Sequence, residues 1–348
     1  MRYLYYSMSM SPVRSVSNIL VVKPGAIGDL LQLTPVLRAL KGRYPSSRIT
    51  LLAGSGASVR LFQNNPHVYE TLVYEKHGEH RQAASFLRLW AEIRKRRFDL
   101  VLNFQRSNLK IWLLTTAAFP CRVLVYHRSD RPGLHAVENY LETIEPLGIS
   151  IATPGLDLEL FPGQEDRSFA DTVLKVVKSG TKPLIALNPG ASHAVNRWDT
   201  AQFAELGNLL ADRLGAKLVL IGGKEDEDLS QAVLRGLHAP ALVLTGKTSL
   251  LQLGAVLEQC DILVTGDTGP MHVATALGTR VAALFGAADP GRTGPLGQGH
   301  RVIQAPGVAC VPCRSRTCRN PVHLECMRKI APGSVYEAIA EMLGEKPL

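Results

Sequence analysis

Apolar residues recur along this chain in short unbroken runs, and between the runs they recur every three or four residues. Asn18-Ile-Leu-Val-Val-Lys-Pro24 is one such run; Leu30, Leu33, Leu37 and Leu40 follow it at helical spacing, with Pro35 bending or starting that helix. Residues 48–53, 69–74, 98–104 and 121–126 read as further strands, separated by helical stretches at about 57–63, 80–96 and 107–118. Apolar strands alternating with helices predict a parallel sheet covered on both faces.

After a helix at 135–147 the texture changes. Residues 148–180 carry Pro154, Pro162 and a polar, charged middle, and are expected to link two domains. The alternation then resumes with five strands at 183–188, 217–222, 241–245, 261–265 and 281–285, and Thr200 and Ser249 stand as natural N-caps. The expected organisation is a flexible leader at 1–17, an α/β domain at 18–165, a second at 166–330, and a closing segment at 331–348. Crossing back to the first domain is one option for the helix at 332–343 in that segment.

A chain of 348 residues suits two domains of ordinary size, and 46% hydrophobic with 20% charged residues is the balance of a folded globular protein. The formal charge of +9 implies an anionic partner: nucleic acid, an acidic membrane surface or a phosphorylated substrate. Arg2 and Arg14 frame no apolar stretch of signal-peptide length, and no run approaches the roughly 20 apolar residues of a spanning helix. The expected location is therefore the cytosol, with contact to a membrane surface.

Candidate chemistry gathers where strands end. Asp261-Ile-Leu-Val-Thr-Gly-Asp-Thr-Gly-Pro-Met-His272 is a strand turning into a helix, with Pro270 suited to the first helical turn. Such a turn offers backbone N–H groups and the positive end of a helix dipole, where phosphates bind. The alternative is a capped helix whose Asp267 and Thr268 only satisfy N–H groups. Gly25-Ala-Ile-Gly-Asp29 ends the first strand. It lacks the third glycine of the dinucleotide fingerprint and the following ribose-binding acid, which disfavours an NAD enzyme. Asp29 is either a helix cap or a carboxylate aimed into a cleft as a general base.

Asn188-Pro-Gly-Ala-Ser-His-Ala-Val-Asn-Arg-Trp198 places Ser192, His193 and Arg197 at the same sheet edge, and the planar guanidinium suits phosphate. Gly222-Gly-Lys-Glu225 and Thr245-Gly-Lys-Thr-Ser249 add Glu225 for ribose hydroxyls and Thr248 for a base pocket, without the spacing of a P-loop. Cys310, Cys313, Cys318 and Cys326, with His323 nearby, leave open a zinc or iron site, packed thiols or labile disulfides.

Taken in order, Gly-x-x-Gly-Asp, Asn-Pro-Gly-Ala with Arg-Trp, Lys-Thr-Ser-Leu, Gly-Asp-Thr-Gly-Pro-Met-His and Phe-Gly-x-x-x-Pro resemble glycosyltransferase family 9, the ADP-heptose:lipopolysaccharide heptosyltransferases, over residues 18–340. The resemblance implies a GT-B architecture of two Rossmann-like domains facing a cleft. It also implies metal-independent, inverting transfer of heptose from ADP-L-glycero-D-manno-heptose to the lipopolysaccharide inner core. Asp29 would be the general base. Ser192, Arg197, Glu225, Thr248, Asp267, Thr268, Gly269, Pro270, Met271 and His272 would hold the donor, with Arg197 where a lysine is usual. Gly28, Arg60, Arg106 and Arg128 would meet the anionic acceptor. The partners implied are a sugar nucleotide and a lipid at the cytoplasmic face of the inner membrane, with no nucleic acid. The basic helix containing Arg81, Arg88, Arg94, Lys95, Arg96 and Arg97 fits that surface. Alternatives are another sugar-nucleotide donor, an epimerase, or a non-catalytic nucleotide- or metal-binding relative.

Overall fold

The computed structural model describes residues 16–76, 78–105, 109–129, 131, 133–151, 155–178 and 180–344. All but two residues of the leader lie outside that set, as does Arg106.

The first lobe runs β1 (Asn18–Val22), α1 (Ile27–Leu31), α2 (Thr34–Arg43), β2 (Arg48–Ala53), α3 (Gly56–Arg60), β3 (Glu70–Val73), α4 (Ala83–Lys95), β4 (Leu100–Asn103), α5 (Leu109–Thr116), β5 (Arg122–Val125) and α6 (Ala136–Glu142). A connecting helix, α7 (Gln164–Leu174), leads to β6 (Leu184–Asn188), α8 (Thr200–Leu214), β7 (Lys217–Leu220), α9 (Glu227–Gly236), β8 (Ala241–Val243) and α10 (Leu250–Leu257). The chain closes with β9 (Ile262–Gly266), α11 (Gly269–Ala276), β10 (Arg280–Leu284), α12 (Pro290–Thr293), β11 (Arg301–Ile303), α13 (Glu325–Arg328) and α14 (Pro332–Leu343).

Both sheets are parallel throughout. The first has the order β3-β2-β1-β4-β5 and the second β11-β10-β9-β6-β7-β8. In each, the first strand in sequence lies inside the sheet and the chain winds away from it first to one side and then to the other. That reversal leaves a crevice at the carboxyl ends of β1 and β4, and another at those of β6 and β9. Open α/β sheets bind ligands at such crevices.

The central strands β1, β6 and β9 are buried on both faces, as their unbroken apolar runs predict. One apolar core runs continuously from Ile19 and Leu37 through Leu158 and Leu160 to Leu251 and Met271, so the lobes are packed together and not merely tethered.

Several expectations are refined. The helix expected through 30–44 breaks at residues 32–33, and Pro35 sits in the first turn of α2. The stretch 148–180 is not all linker. Ala170 and Leu174 of α7 are fully buried, and the helix packs on α10. Ser249 caps α10 with Gln252 in a reciprocal box, but α8 is capped by Asp199, whose carboxylate accepts from Ala201 N, and not by Thr200. β11 makes a sixth strand on the second sheet; its Arg301 and Val302 are exposed, so no apolar run announced it. Through Val335, Tyr336, Ile339 and Ala340, α14 packs in the core of the second lobe against α8, β10 and β11, and does not cross back.

Candidate active site

The loops after β1, β2, β6, β7, β8 and β9 converge on one cleft of about 610 Å³. From the first lobe it takes Gly25 to Gly28, Ser55 and Ser58; from the second, the turns carrying Ser192, Arg197, Glu225, Thr248, Thr268, Gly269 and Pro270. Thus seven of the proposed donor contacts line one cavity, although they come from four separate loops.

The second lobe builds its side of the cleft from backbone. At the carboxyl end of β6 the Asn188 amide donates to the Thr265 and Thr268 hydroxyls, at 2.8 and 3.2 Å, tying the two strands of the crevice together. Thr268 is the N-cap residue of α11, yet no side chain caps that helix. Thr268, Gly269 and Pro270 line the cleft, so the helix opens onto it, and among the described residues neither Asp267 nor Thr268 caps it. Arg197 is held by its Nε donating to Ala191 O at 2.9 Å, which leaves the rest of its fork for an anion.

Asp226 is a buried carboxylate that the sequence reading did not single out. It accepts from Gly223 N at 3.0 Å, and burial raises its pKa, with Glu225 adding to the rise. Its carboxyl packs so closely on Gly190 that a Cβ there would lie 2.2 Å from it, so the loop after β6 requires glycine at that point. The signal was present as an acid three residues after Gly223, the spacing that closes a helix start.

The first lobe brings charge. α1 also begins without a side-chain cap, and Asp29 stands in its first turn. Its carboxylate is 43% exposed, with the Tyr140 hydroxyl donating to Oδ1 at 3.3 Å and the buried Lys23 ammonium 3.8 Å away. Burial pulls the Lys23 pKa down while Asp29 pulls it up; Lys23 also lies 4.9 Å over the Tyr140 ring. Lys23 and Tyr140 thus orient Asp29, and neither was legible as a site residue in the sequence.

The lobes meet where α1 faces α11. A Cβ on Gly28 would come within 2.7 Å of the His272 ring, so only glycine admits this approach. His272 is buried, its Nε2 3.5 Å from the Gln32 amide. Burial, with His135 adding to the effect, brings its pKa down to about 4, so it is a neutral imidazole and not a cation for phosphate. Asp267 goes the other way. Burial carries its pKa up to about 6 against a hydrogen bond from Thr293, and the charge of Asp29 reinforces the rise.

Asp29, Asp267, Met271 and His272 do not line the cleft itself. Met271 is a core side chain, so the group it can offer a ligand is its backbone N–H. Arg60 is exposed at the end of α3 and does not line the cleft, nor does Arg128. Arg128 instead lies near Arg292 of the second lobe: burial lowers the Arg292 pKa, and Arg128 and Arg314 lower it further. Arg292 is a further cation near the seam that sequence reasoning missed.

The cysteines gather elsewhere. Cys310, Cys313, Cys318 and Cys326 line a separate cavity of about 610 Å³. All four are free thiols, and among the described residues no group of three or more histidine, cysteine or acidic side chains is placed to hold a metal ion.

Two parallel-sheet lobes with nucleotide-type turns meeting at one cleft define the GT-B architecture. The model of glycosyltransferase family 9 (heptosyltransferase) matches residues 86–323, and the chain belongs to that family. It is 27% identical over 332 residues to lipooligosaccharide heptosyltransferase 2 of Campylobacter jejuni, covering 93% of this chain and 99% of that one. Among solved structures it is similar to a family 9 glycosyltransferase from Veillonella parvula, at 26% identity and a TM-score of 0.83, covering 95% of this chain and 98% of that one. It is also similar to ADP-heptose lipopolysaccharide heptosyltransferase II of Escherichia coli, at 25% identity and a TM-score of 0.75, covering 94% and 98%.

Proposed function

We propose that this enzyme transfers heptose from ADP-L-glycero-D-manno-heptose to the inner core of lipopolysaccharide at the cytoplasmic face of the inner membrane, with inversion and with Asp29 as general base. The observation that carries the reading is the uncapped N-terminus of α11 in the same cleft as the turn that bears Asp29.

The donor diphosphate lies on the N–H groups opening α11, with the Arg197 fork as its cationic partner. Glu225 accepts from the ribose hydroxyls and Thr248 borders the adenine. As the glycosidic bond to phosphate breaks, ADP leaves with the electron pair, and the helix dipole and Arg197 stabilise the charge it gains. The acceptor hydroxyl forms its new bond to the anomeric carbon from the opposite face, and its proton passes to the Asp29 carboxylate. Lys23 places its ammonium 3.8 Å from Asp29, and the Tyr140 hydroxyl holds the orientation of the carboxylate. Arg60 and Arg128 meet the anionic acceptor, which gives the positive charge of the chain a use.

A thermal-shift panel of nucleotides tests the donor half of the reading. ADP at a hundred times its Kd stabilises the folded state by about 2.7 kcal/mol, and the expected result is a rise in Tm well beyond that with UDP, GDP or NAD. A larger shift with UDP or GDP assigns a different sugar nucleotide to the cleft.

A further inference from the structure

We propose that the α4–α5 face of the first lobe is a docking surface for an anionic lipid bilayer. α5 is apolar on both sides. Ile111 and Leu114 face the core, while Leu109, Trp112 and Leu113 are 75, 37 and 47% exposed. These three, with Thr116, fall at helical spacing on the outward side of α5, and Phe119, 45% exposed, continues the stripe beyond the helix end. Leu87, 61% exposed, adds to it from α4, which is tied to α5 by Trp90 Nε1 donating to the Thr116 hydroxyl at 3.3 Å. Of the nine large hydrophobic residues exposed among those described, five therefore lie on this one ridge. Scattered apolar residues are ordinary on a surface, but a contiguous ridge of this kind marks a contact.

Charge decides the partner. Arg94, Lys95 and Arg97 line a depression together with Phe119 at the end of the stripe. Among the described residues these three enter no ion pair, whereas Arg88 pairs with Glu79, and Arg96 with Glu70 and Glu92. Among the described residues Arg94 donates only to the carbonyl of Phe119, a neutral partner. Asp99, the acid in that depression, is engaged by the N–H groups of Ser17 and Asn18. An apolar ridge bordered by unneutralised cations fits the acyl and phosphate layers of an anionic monolayer. α5 begins at the carboxyl end of β4, the edge on which α1 presents Asp29, and runs to the amino edge, where Asp99 meets the start of β1, so the Leu109 end of the ridge is the one nearer the cleft. The inference uses the reading of a lipid-borne acceptor for its purpose only; its evidence is independent.

Vesicle sedimentation of the full chain tests it, comparing phosphatidylethanolamine–phosphatidylglycerol vesicles with phosphatidylcholine. Binding is expected to the anionic vesicles alone, weakened at least tenfold by Leu109→Ser/Trp112→Ser/Leu113→Ser and, separately, by Arg94→Glu/Lys95→Glu. The charge variant leaves the apolar ridge intact, so it remains informative if the triple variant folds poorly. Transfer to an acceptor stripped of its acyl chains is expected to stay unchanged in both. Vesicle binding that neither variant weakens overturns the docking surface, as does a dimer in light scattering that the triple variant dissolves without any vesicle binding. Failure to transfer heptose to the stripped acceptor in the unmodified enzyme overturns the transferase reading instead, so the two failures are told apart.

Discussion

The two lobes share a parallel-sheet plan and differ in what they set at its carboxyl edge. The second lobe presents backbone N–H groups, hydroxyls and one guanidinium, fixed by Asn188 tying two strands together. The first presents a carboxylate, oriented by a buried lysine and a tyrosine. The N–H groups and guanidinium of the second lobe suit an anion, and the carboxylate of the first suits a hydroxyl that gives up its proton. In the proposed mechanism neither lobe alone holds both halves of the displacement, so the site has to be assembled at the seam.

The largest expected effect tests that division directly. Asp29→Asn keeps the shape of the first lobe and removes its basicity, and turnover is expected to fall by roughly 10²–10⁴-fold while the ADP Kd stays close to that of the unmodified enzyme. Steady-state kinetics and calorimetry read the two quantities separately. Equal loss of both would mean that Asp29 serves the donor, and the division would be gone. Arg197→Ala is expected to weaken ADP binding and to lower turnover as well, because its guanidinium holds the diphosphate and meets the charge that develops on it. A hydrogen bond to a charged group contributes about 1.5–3 kcal/mol, so ADP binding is expected to weaken by about 10–100-fold, measured by the same titration.

The smallest effect is one of stability. Folded His272 refuses a proton until about pH 4, whereas the unfolded residue accepts one near 6.5, so its contribution is full above 6.5 and is lost as pH falls toward 4. Asp267 has the opposite sign: it keeps its proton up to about 6 instead of 3.8, so its contribution is present below 3.8 and is lost as pH rises to 6. Between pH 4 and 6 the two oppose each other. Tm profiles are expected to show a shallower acid limb in His272→Gln and a steeper one in Asp267→Asn; identical profiles would remove both assignments.

Sequence carried the fold well because buried parallel strands are unbroken apolar runs, and all but one strand could be read from them. β11 was lost because an exposed edge strand has no such run, and α7 because a short helix of mixed charge resembles a linker. The donor side was legible for a related reason. Its glycines and hydroxyls cluster locally after single strands, as in Gly266-Asp-Thr-Gly-Pro270. The orienting groups were not. Tyr140 reaches Asp29 across 111 positions and Arg128 approaches Arg292 from the other lobe, contacts that only tertiary packing creates.

The pairing of Gly28 with His272 bears on the working cycle. An imidazole enclosed between the lobes titrates near 4 and one in water near 6.5, so any parting of the lobes that wetted this ring would take up protons as the medium became acidic. Mild acidity would then hold the jaws apart.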